Sequence, residues 1–106
     1  MIKRFRDADA EVLFGGGHAR RYQAFTAQAQ RRLAYLNEAS RLADLRALPS
    51  NRFEALGGDR SGQYSIRIND QWWVCFRWER RQPLGEGSDI LMADGDAIDV
   101  EIVDYH

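Results

Sequence analysis

The sequence predicts an α+β domain in which helices pack on one face of a mainly antiparallel sheet. The hydrophobic period is close to 3.6 residues between about residues 19 and 49 and is two residues from residue 52 onward. Short clusters of turn residues separate the alternating segments, as expected between neighbouring strands. These patterns predict the order β-α-α-β-β-β-β in a single domain of residues 1–106, with two or three N-terminal helices and four to five strands.

The chain is expected to open with a short strand over residues 1–6, where polar and apolar residues alternate imperfectly. Asp7 or Asp9 can cap a short helix that runs through Phe14. Three glycines at 15–17 end this helix, because glycine in a helix costs backbone entropy. The glycines are read as a hinge, since no Lys-Ser/Thr pair of a phosphate loop follows them.

The longest predicted helix spans residues 19–39. A second short helix can be capped by Ser40 and stopped by Pro49, which gives a helical hairpin. Steps of four, four and three residues make one apolar stripe on the long helix, formed by Phe25, Ala29, Leu33 and Leu36.

The second half of the chain predicts strands at residues 52–56, 63–69, 72–79 and 97–103. Alternation in the third strand separates two sets of side chains, with Trp72, Val74, Phe76 and Trp78 on one side and Trp73, Cys75 and Arg77 on the other. Two of the tryptophans are expected in the core, and the one across the sheet can stack on a base or hold a partner.

A loop at about residues 80–93 is expected as an insertion, because Pro83, Gly85 and Gly87 interrupt the alternation. Loops of this length in a compact domain tend to be functional or mobile. Within it, residues 90–92 are either a short packed segment or a contact for a partner.

The net charge of −1 conceals an uneven distribution of charge. Residues 1–60 carry 11 basic and 7 acidic residues, and residues 61–106 carry 4 basic and 9 acidic residues. All basic residues except Lys3 are arginine, which suits RNA binding but can also reflect genome composition. Any RNA site must therefore be a local patch.

The single cysteine, Cys75, excludes an internal disulfide and is expected to be a buried small hydrophobe, with a reactive thiol as the alternative. His18 and His106 are far apart and no cysteine pair is present, so no metal or cofactor is expected. The opening residues lack a signal or membrane segment, which predicts a cytoplasmic, soluble protein without a membrane partner.

The last three residues, Asp104, Tyr105 and His106, combine a carboxylate, a phenol and an imidazole after the final strand. RNA cleavage through the 2′-hydroxyl needs a base for its proton and an acid for the leaving 5′-oxygen, and histidine titrates near neutral pH. The residues alone leave two interpretations open, a catalytic ending or a frayed polar tail.

Several arginines of the predicted sheet can bind phosphate or can be solvated surface charges. Arg60 and Arg67 are the better candidates, because they flank a turn and the polar side of a strand; the others are Arg52 and Arg77.

Three segments together resemble the HigB-type toxins of the RelE superfamily, also called plasmid-maintenance killer proteins. They are Asn-Arg-Phe-Glu-Ala-Leu-Gly-Gly-Asp-Arg at 51–60, Gly-Gln-Tyr-Ser-Ile-Arg-Ile-Asn-Asp-Gln-Trp at 62–72 and Val-Cys-Phe-Arg-Trp at 74–78. The opening residues 2–5, the segment 42–45 and the ending 99–106 are also similar to that family. Apart from residues 80–93, the resemblance spans nearly the whole chain.

The resemblance implies a RelE-like microbial RNase fold and ribosome-dependent, metal-independent cleavage of mRNA in the A site. It also implies a HigA-type helix-turn-helix antitoxin as partner, with operator DNA bound only through that antitoxin. Asp104, Tyr105 and His106 fall on the family's catalytic ending. Arg60 falls on its Gly-Asp-Arg element and Gln71 on the turn before the third strand; with Arg52, Arg67 and Arg77 they form the expected RNA-binding set.

Three positions depart from the family pattern. Gly57 stands where several relatives carry a phosphate-contacting lysine, Trp73 where relatives carry arginine, and Glu54 where some carry histidine. Loss of a cation aimed at the transferring phosphate weakens transition-state stabilisation. The resemblance therefore leaves two functions open, an active endoribonuclease or a weakened toxin-derived module that acts by binding its antitoxin in operon autoregulation.

Overall fold

The computed structural model describes residues 1–104, so that Tyr105 and His106 of the predicted catalytic ending lie outside the described residues. The helices are α1 (Ala8–Phe14), α2 (Thr26–Glu38) and α3 (Leu42–Arg46). The strands are β1 (Glu54–Ala55), β2 (Tyr64–Arg67), β3 (Trp73–Arg80) and β4 (Gly95–Val103), paired antiparallel in that order. This arrangement confirms the predicted α+β class.

The opening segment is not the continuous strand that was predicted. It forms two isolated parallel bridges to β4, Ile2 with Ala97 and Phe5 with Val100. Between the two bridges β4 contains a bulge. Cys75 pairs with Glu101 and Arg77 pairs with Ile98, so a step of two residues along β3 corresponds to a step of three along β4. Asp99 in this bulge has φ +52°, which interrupts a regular ladder on the other edge of the strand.

The long predicted helix is divided in two. A 3-10 turn over Arg20–Phe25 precedes α2, and the backbone departs from helical angles at Tyr22. The rings of Tyr22 and Phe25 both pack against Trp72, with centroids 5.7 and 5.2 Å away. We attribute the kink to this tertiary contact. A straight helix fixes the direction in which each side chain points, and the kink changes these directions so that both rings pack against Trp72. The predicted stripe of α2 is confirmed, since Ala29, Leu33 and Leu36 are buried.

The cap of α3 differs from the prediction. The helix begins after Arg41 rather than Ser40, and the Asp44 carboxylate accepts hydrogen bonds from the backbone nitrogens of Ser40 and Arg41, at 2.9 and 3.1 Å. The carboxylate thereby satisfies two amides that precede the helix and have no helical partner.

The first two strands are shorter than predicted. Arg52 has φ +43°, in the left-handed region, so an extended strand cannot begin there. Strand β2 ends at Arg67 because the next two backbone nitrogens, of Ile68 and Asn69, both donate to the carbonyl of Trp72. The chain therefore turns earlier than the alternation of residues indicated.

The tryptophans of the third strand divide as predicted. Trp72 and Trp78 pack against the hydrophobic core with Val74 and Phe76, whereas Trp73 is not part of that cluster. The inserted loop contains one 3-10 turn at Ile90–Met92, of which Ile90 and Leu91 pack against the core. These contacts support the packed-segment interpretation for those two residues.

Candidate functional site

The sheet has two faces, and the helices cover one of them. Ile66, Val74, Phe76 and Ile102 belong to the core between sheet and helices. Side chains alternate along a strand, so their neighbours point to the opposite side, which we call the outer face. Two rows cross β2, β3 and β4 on the outer face; one row is Ser65, Cys75 and Glu101, and the next is Arg67, Trp73 and Val103.

The connection between β1 and β2 folds over the outer face. Its Arg60 donates from Nη1 to Oε1 of Gln63 and to Oε1 of Glu101, both at 3.0 Å. Glu101 is on β4, and two strands separate β4 from β1, so Arg60 reaches across the sheet. This crossing is consistent with the complete burial of Ser65 and Cys75, which share the row with Glu101. The burial predicted for Cys75 is confirmed.

Asp104 follows β4 and lies beside the turn that joins β2 and β3. Gln71 Nε2 donates to Asp104 Oδ2 at 2.8 Å, so two residues of the predicted set are in direct contact. The same turn holds an ion pair between Arg67 and Asp70. The Gln71 amide therefore contacts the residue that follows β4, and the Arg67–Asp70 ion pair belongs to the same turn as Gln71.

The two remaining arginines of the predicted set differ in their location. Arg77 lies against the backbone of Gly62, where an added Cβ would come within 2.9 Å of Nη1. It therefore borders the same connection that carries Arg60. Arg52 precedes β1, at the edge of the sheet opposite β4. At about 4.8 Å between strands, it is separated from the last strand by roughly 14 Å, and the structure does not bring Arg52 together with Asp104.

The end of β4 is fixed from the helical side by Asp7. One carboxylate oxygen, Oδ2, accepts from the Tyr22 hydroxyl at 2.5 Å and from the Ile102 backbone nitrogen at 3.3 Å. The other oxygen caps α1 by accepting from the nitrogens of Asp9 and Ala10. Burial and then the hydrogen bond to Asp7 raise the pKa of Tyr22, so the phenol remains a donor.

A polar cleft of about 390 Å³ adjoins the last residues of β4. It is lined by Arg6 and Arg21 among others, and the guanidinium of Arg21 lies 5.3 Å from the centre of the Tyr22 ring. Arg6 Nε also approaches Glu101 Oε2 at 3.3 Å. Neither arginine was singled out from the sequence. The alternation in the final strand, which set Glu101 apart from its apolar neighbours, was the available signal.

Other kinds of site receive no support from the part of the chain that the structure describes. Among residues 1–104, no group of three His, Cys, Asp or Glu side chains is arranged to hold a metal ion. Over the same residues, no helix combines the length and the apolar character needed to cross a membrane.

Comparison with known proteins bears on the family of the chain. The chain is similar to Toxin HigB-1 of Vibrio cholerae serotype O1, with 46% identity over 48 residues, which cover 45% of this chain and 50% of the relative. The aligned segment therefore spans only half the length of that curated relative. A family profile described as the RelE-like toxin HigB of type II toxin–antitoxin systems matches residues 3–85. That match confirms the resemblance noted in the sequence, and the chain belongs to the family of HigB-like toxins.

Proposed function

We propose that residues 1–106 form one toxin domain that cleaves mRNA in the ribosomal A site as a metal-independent endoribonuclease. The observation that carries the proposal is the contact between Gln71 and Asp104 at the end of β4, next to the arginines of the outer face. Membership of the HigB-like toxin family supports the same activity.

The proposed chemistry needs three roles near one phosphodiester. His106 acts as acid or base, Asp104 assists it, and Tyr105 donates to a phosphate oxygen. The 2′-oxygen attacks phosphorus after losing its proton to the base. The bond to the 5′-oxygen then breaks, and this oxygen receives a proton from the acid. The products are a 2′,3′-cyclic phosphate and a free 5′-hydroxyl.

Positive charge on the outer face supports binding of the RNA backbone. Arg60, Arg67 and Arg77 lie on this face or at its border, and Gln71 stands beside Asp104. Arg52 has the weakest support, because it is at the opposite edge of the sheet. Arginine binds phosphate through two parallel hydrogen bonds, so a few correctly held arginines are sufficient without a strongly basic protein.

The proposal includes a partner that restrains the activity. A type II system implies an antitoxin, and we propose a HigA-type antitoxin with a helix-turn-helix domain that alone contacts operator DNA. Action on translating ribosomes implies that the toxin works in the cytoplasm.

Induced expression with and without the antitoxin, followed by mapping of mRNA 5′ ends, tests the activity. We expect new 5′ ends inside translated codons for the unaltered chain and none for His106→Ala. His18→Ala is the matched control, because His18 is exposed and lies between α1 and the 3-10 turn that precedes α2. Equal cleavage and growth arrest in the unaltered chain and in His106→Ala would rule out the proposed role of His106.

The second candidate function is a weakened toxin that acts by binding its antitoxin. It is favoured by Trp73, which occupies the outer face between Arg67 and Val103, where relatives carry arginine. Gly57 likewise replaces a lysine found in relatives. Trp73→Arg discriminates the two functions: if the unaltered chain already cleaves mRNA and the variant is no more toxic, the weakened-toxin hypothesis fails.

A further inference from the structure

Glu101 holds two arginines from different parts of the chain on the outer face. Its Oε1 lies 3.0 Å from Nη1 of Arg60, which comes from the connection before β2. Its Oε2 lies 3.3 Å from Nε of Arg6, which comes from the opening segment. One carboxylate therefore joins both guanidinium groups, each to a different oxygen.

The exposure of the three side chains differs in a way that suggests a role. The Glu101 side chain is only 16% exposed, whereas those of Arg60 and Arg6 are 32% and 66% exposed. The anchor is therefore largely enclosed, while both cations retain access to solvent. The two arginines and their carboxylate together carry a charge of +1, and the cleft beside them adds Arg21, Asp7 and Asp9. A phosphate is therefore attracted by the two guanidinium groups at short range rather than by the net charge of the cleft.

We propose that Glu101 is a positioning residue, which holds Arg60 and Arg6 in place to bind a backbone phosphate of single-stranded RNA. The inference deepens the proposed function and rests on it. Glu101 precedes Asp104 by three residues, or about 10 Å along an extended strand. The phosphate held by the two arginines thus flanks the cleaved bond, and Glu101 acts on RNA binding rather than on the chemical step.

The direction of the effect separates this role from simple electrostatics. Removal of a negative charge beside two arginines makes the face more positive, so charge alone predicts tighter RNA binding in Glu101→Gln. Positioning predicts weaker binding, because long side chains lose their ordered geometry and must be fixed again by the RNA. The two explanations therefore differ in sign.

The test measures the dissociation constant of the full-length protein for a labelled, 2′-O-methylated RNA 12-mer, which cannot be cleaved through the 2′-hydroxyl. Glu101→Gln and Glu101→Asp are compared with the unaltered chain; the aspartate retains the charge but shortens the reach. We expect both to raise Kd by roughly threefold to tenfold, the range for the cost of ordering a long side chain on binding. The slope of log Kd against log salt should become shallower by about 0.7 for each lost phosphate contact.

Glu79→Gln is the matched control, because Glu79 also pairs with a residue of the opening segment, Lys3, at 2.7 Å. Glu79 lies on β3 opposite Asp96, near the start of β4, so this ion pair is away from the end of β4. We expect no change in Kd for this control. Glu101→Gln should raise Kd by a smaller factor when it is added to Arg60→Ala than when it is made in the unaltered chain. Part of its effect passes through Arg60, which the first substitution has already removed.

Each outcome decides the inference. Tighter or unchanged binding in Glu101→Gln and Glu101→Asp overturns it, as does a loss of the same size in Glu79→Gln. Failure of the unaltered chain to bind the RNA overturns the inference but not the proposed function, which concerns mRNA on ribosomes and is tested by the mapping of mRNA 5′ ends. If the unaltered chain binds but cleaves no mRNA on ribosomes, the proposed function fails while the positioning role stands. Should Glu101→Gln fail to fold, as judged by thermal unfolding, Glu101→Asp carries the test.

Discussion

Substitution of Asp7 by alanine should destabilise this protein more than the same substitution of either acidic residue within α1, Asp9 or Glu11. The carboxylate serves four donors at once: the amides of Asp9 and Ala10, the Tyr22 hydroxyl and the amide of Ile102. It therefore connects the start of α1, the kink before α2 and the last part of β4. Loss of the side chain releases all three elements together.

The magnitude follows from the separate contacts. Loss of the helix cap costs about 1 kcal/mol. The Tyr22 hydroxyl would keep only its long hydrogen bond to the Ile102 carbonyl, at 3.4 Å. Because Tyr22 is fully buried, loss of the Asp7 acceptor costs a further 1–3 kcal/mol or so. The free energy of unfolding should thus fall by about 2–4 kcal/mol, which corresponds to a melting temperature lower by roughly 10 °C or more in a domain of this size.

Urea and thermal unfolding followed by circular dichroism measure this loss. Asp9→Ala is the control, because Asp9 has the same charge in the same turn but its exposed side chain only faces the helix dipole; it should cost less than about 1 kcal/mol. In a Tyr22→Phe background, Asp7→Ala should cost less than in the unaltered chain, since the hydroxyl is already absent. Equal losses for Asp7→Ala and Asp9→Ala would refute the reasoning.

Three further predictions concern a buried carboxylate, the end of β4 and the turn over the outer face. The hydrogen bond from Arg81 holds the pKa of Asp96 below its usual value, although burial opposes this shift. The ionised Asp96 therefore stabilises the fold above an unfolded pKa of about 3.9. This stabilisation is lost as the pH falls through the lower pKa of the folded state. The difference in urea stability between the unaltered chain and Asp96→Asn should therefore narrow below about pH 4, and a constant difference down to pH 2 or so would contradict the assignment. Gln71→Ala, which removes the donor to Asp104, should slow mRNA cleavage by about twofold to tenfold without changing the melting temperature, and cleavage that is unaltered would argue against a role for this contact. Gly57→Lys should fold normally, because a Cβ there has nothing within 4 Å, and should increase cleavage if the missing cation limits the reaction; a lower melting temperature would show that the turn does not tolerate a side chain.

Much of the fold could be predicted from local patterns. The stripe of Leu33 and Leu36 on α2 and the alternation of Val74 and Phe76 on β3 both give the buried face correctly. Such patterns work because a helix or strand presents one face to the core at a fixed period. The family was also accessible from the motifs of the sequence, since the family profile matches residues 3–85, which contain most of them.

The errors arose where a distant contact determines the local backbone. The kink at Tyr22 depends on Trp72, which is fifty residues further along the chain. The left-handed conformation of Arg52 and the path of Arg60 across the sheet are equally set by tertiary structure. The hydrophobic period of a segment cannot indicate such contacts, because it shows only which face of that one helix or strand is apolar.

The uneven distribution of charge has a structural explanation that the sequence did not suggest. The basic residues of the opening segment lie beside β4 and pair with its acidic residues in chain order, Lys3 with Asp96, Arg4 with Asp99 and Arg6 with Glu101. Three cations of the positive first half are therefore paired with acidic residues of the negative second half along one edge of the sheet. Overall basicity is consequently a poor guide to the RNA binding that we propose. What matters is which arginines remain accessible after this pairing, and Glu101 is informative because it pairs with two of them without enclosing either.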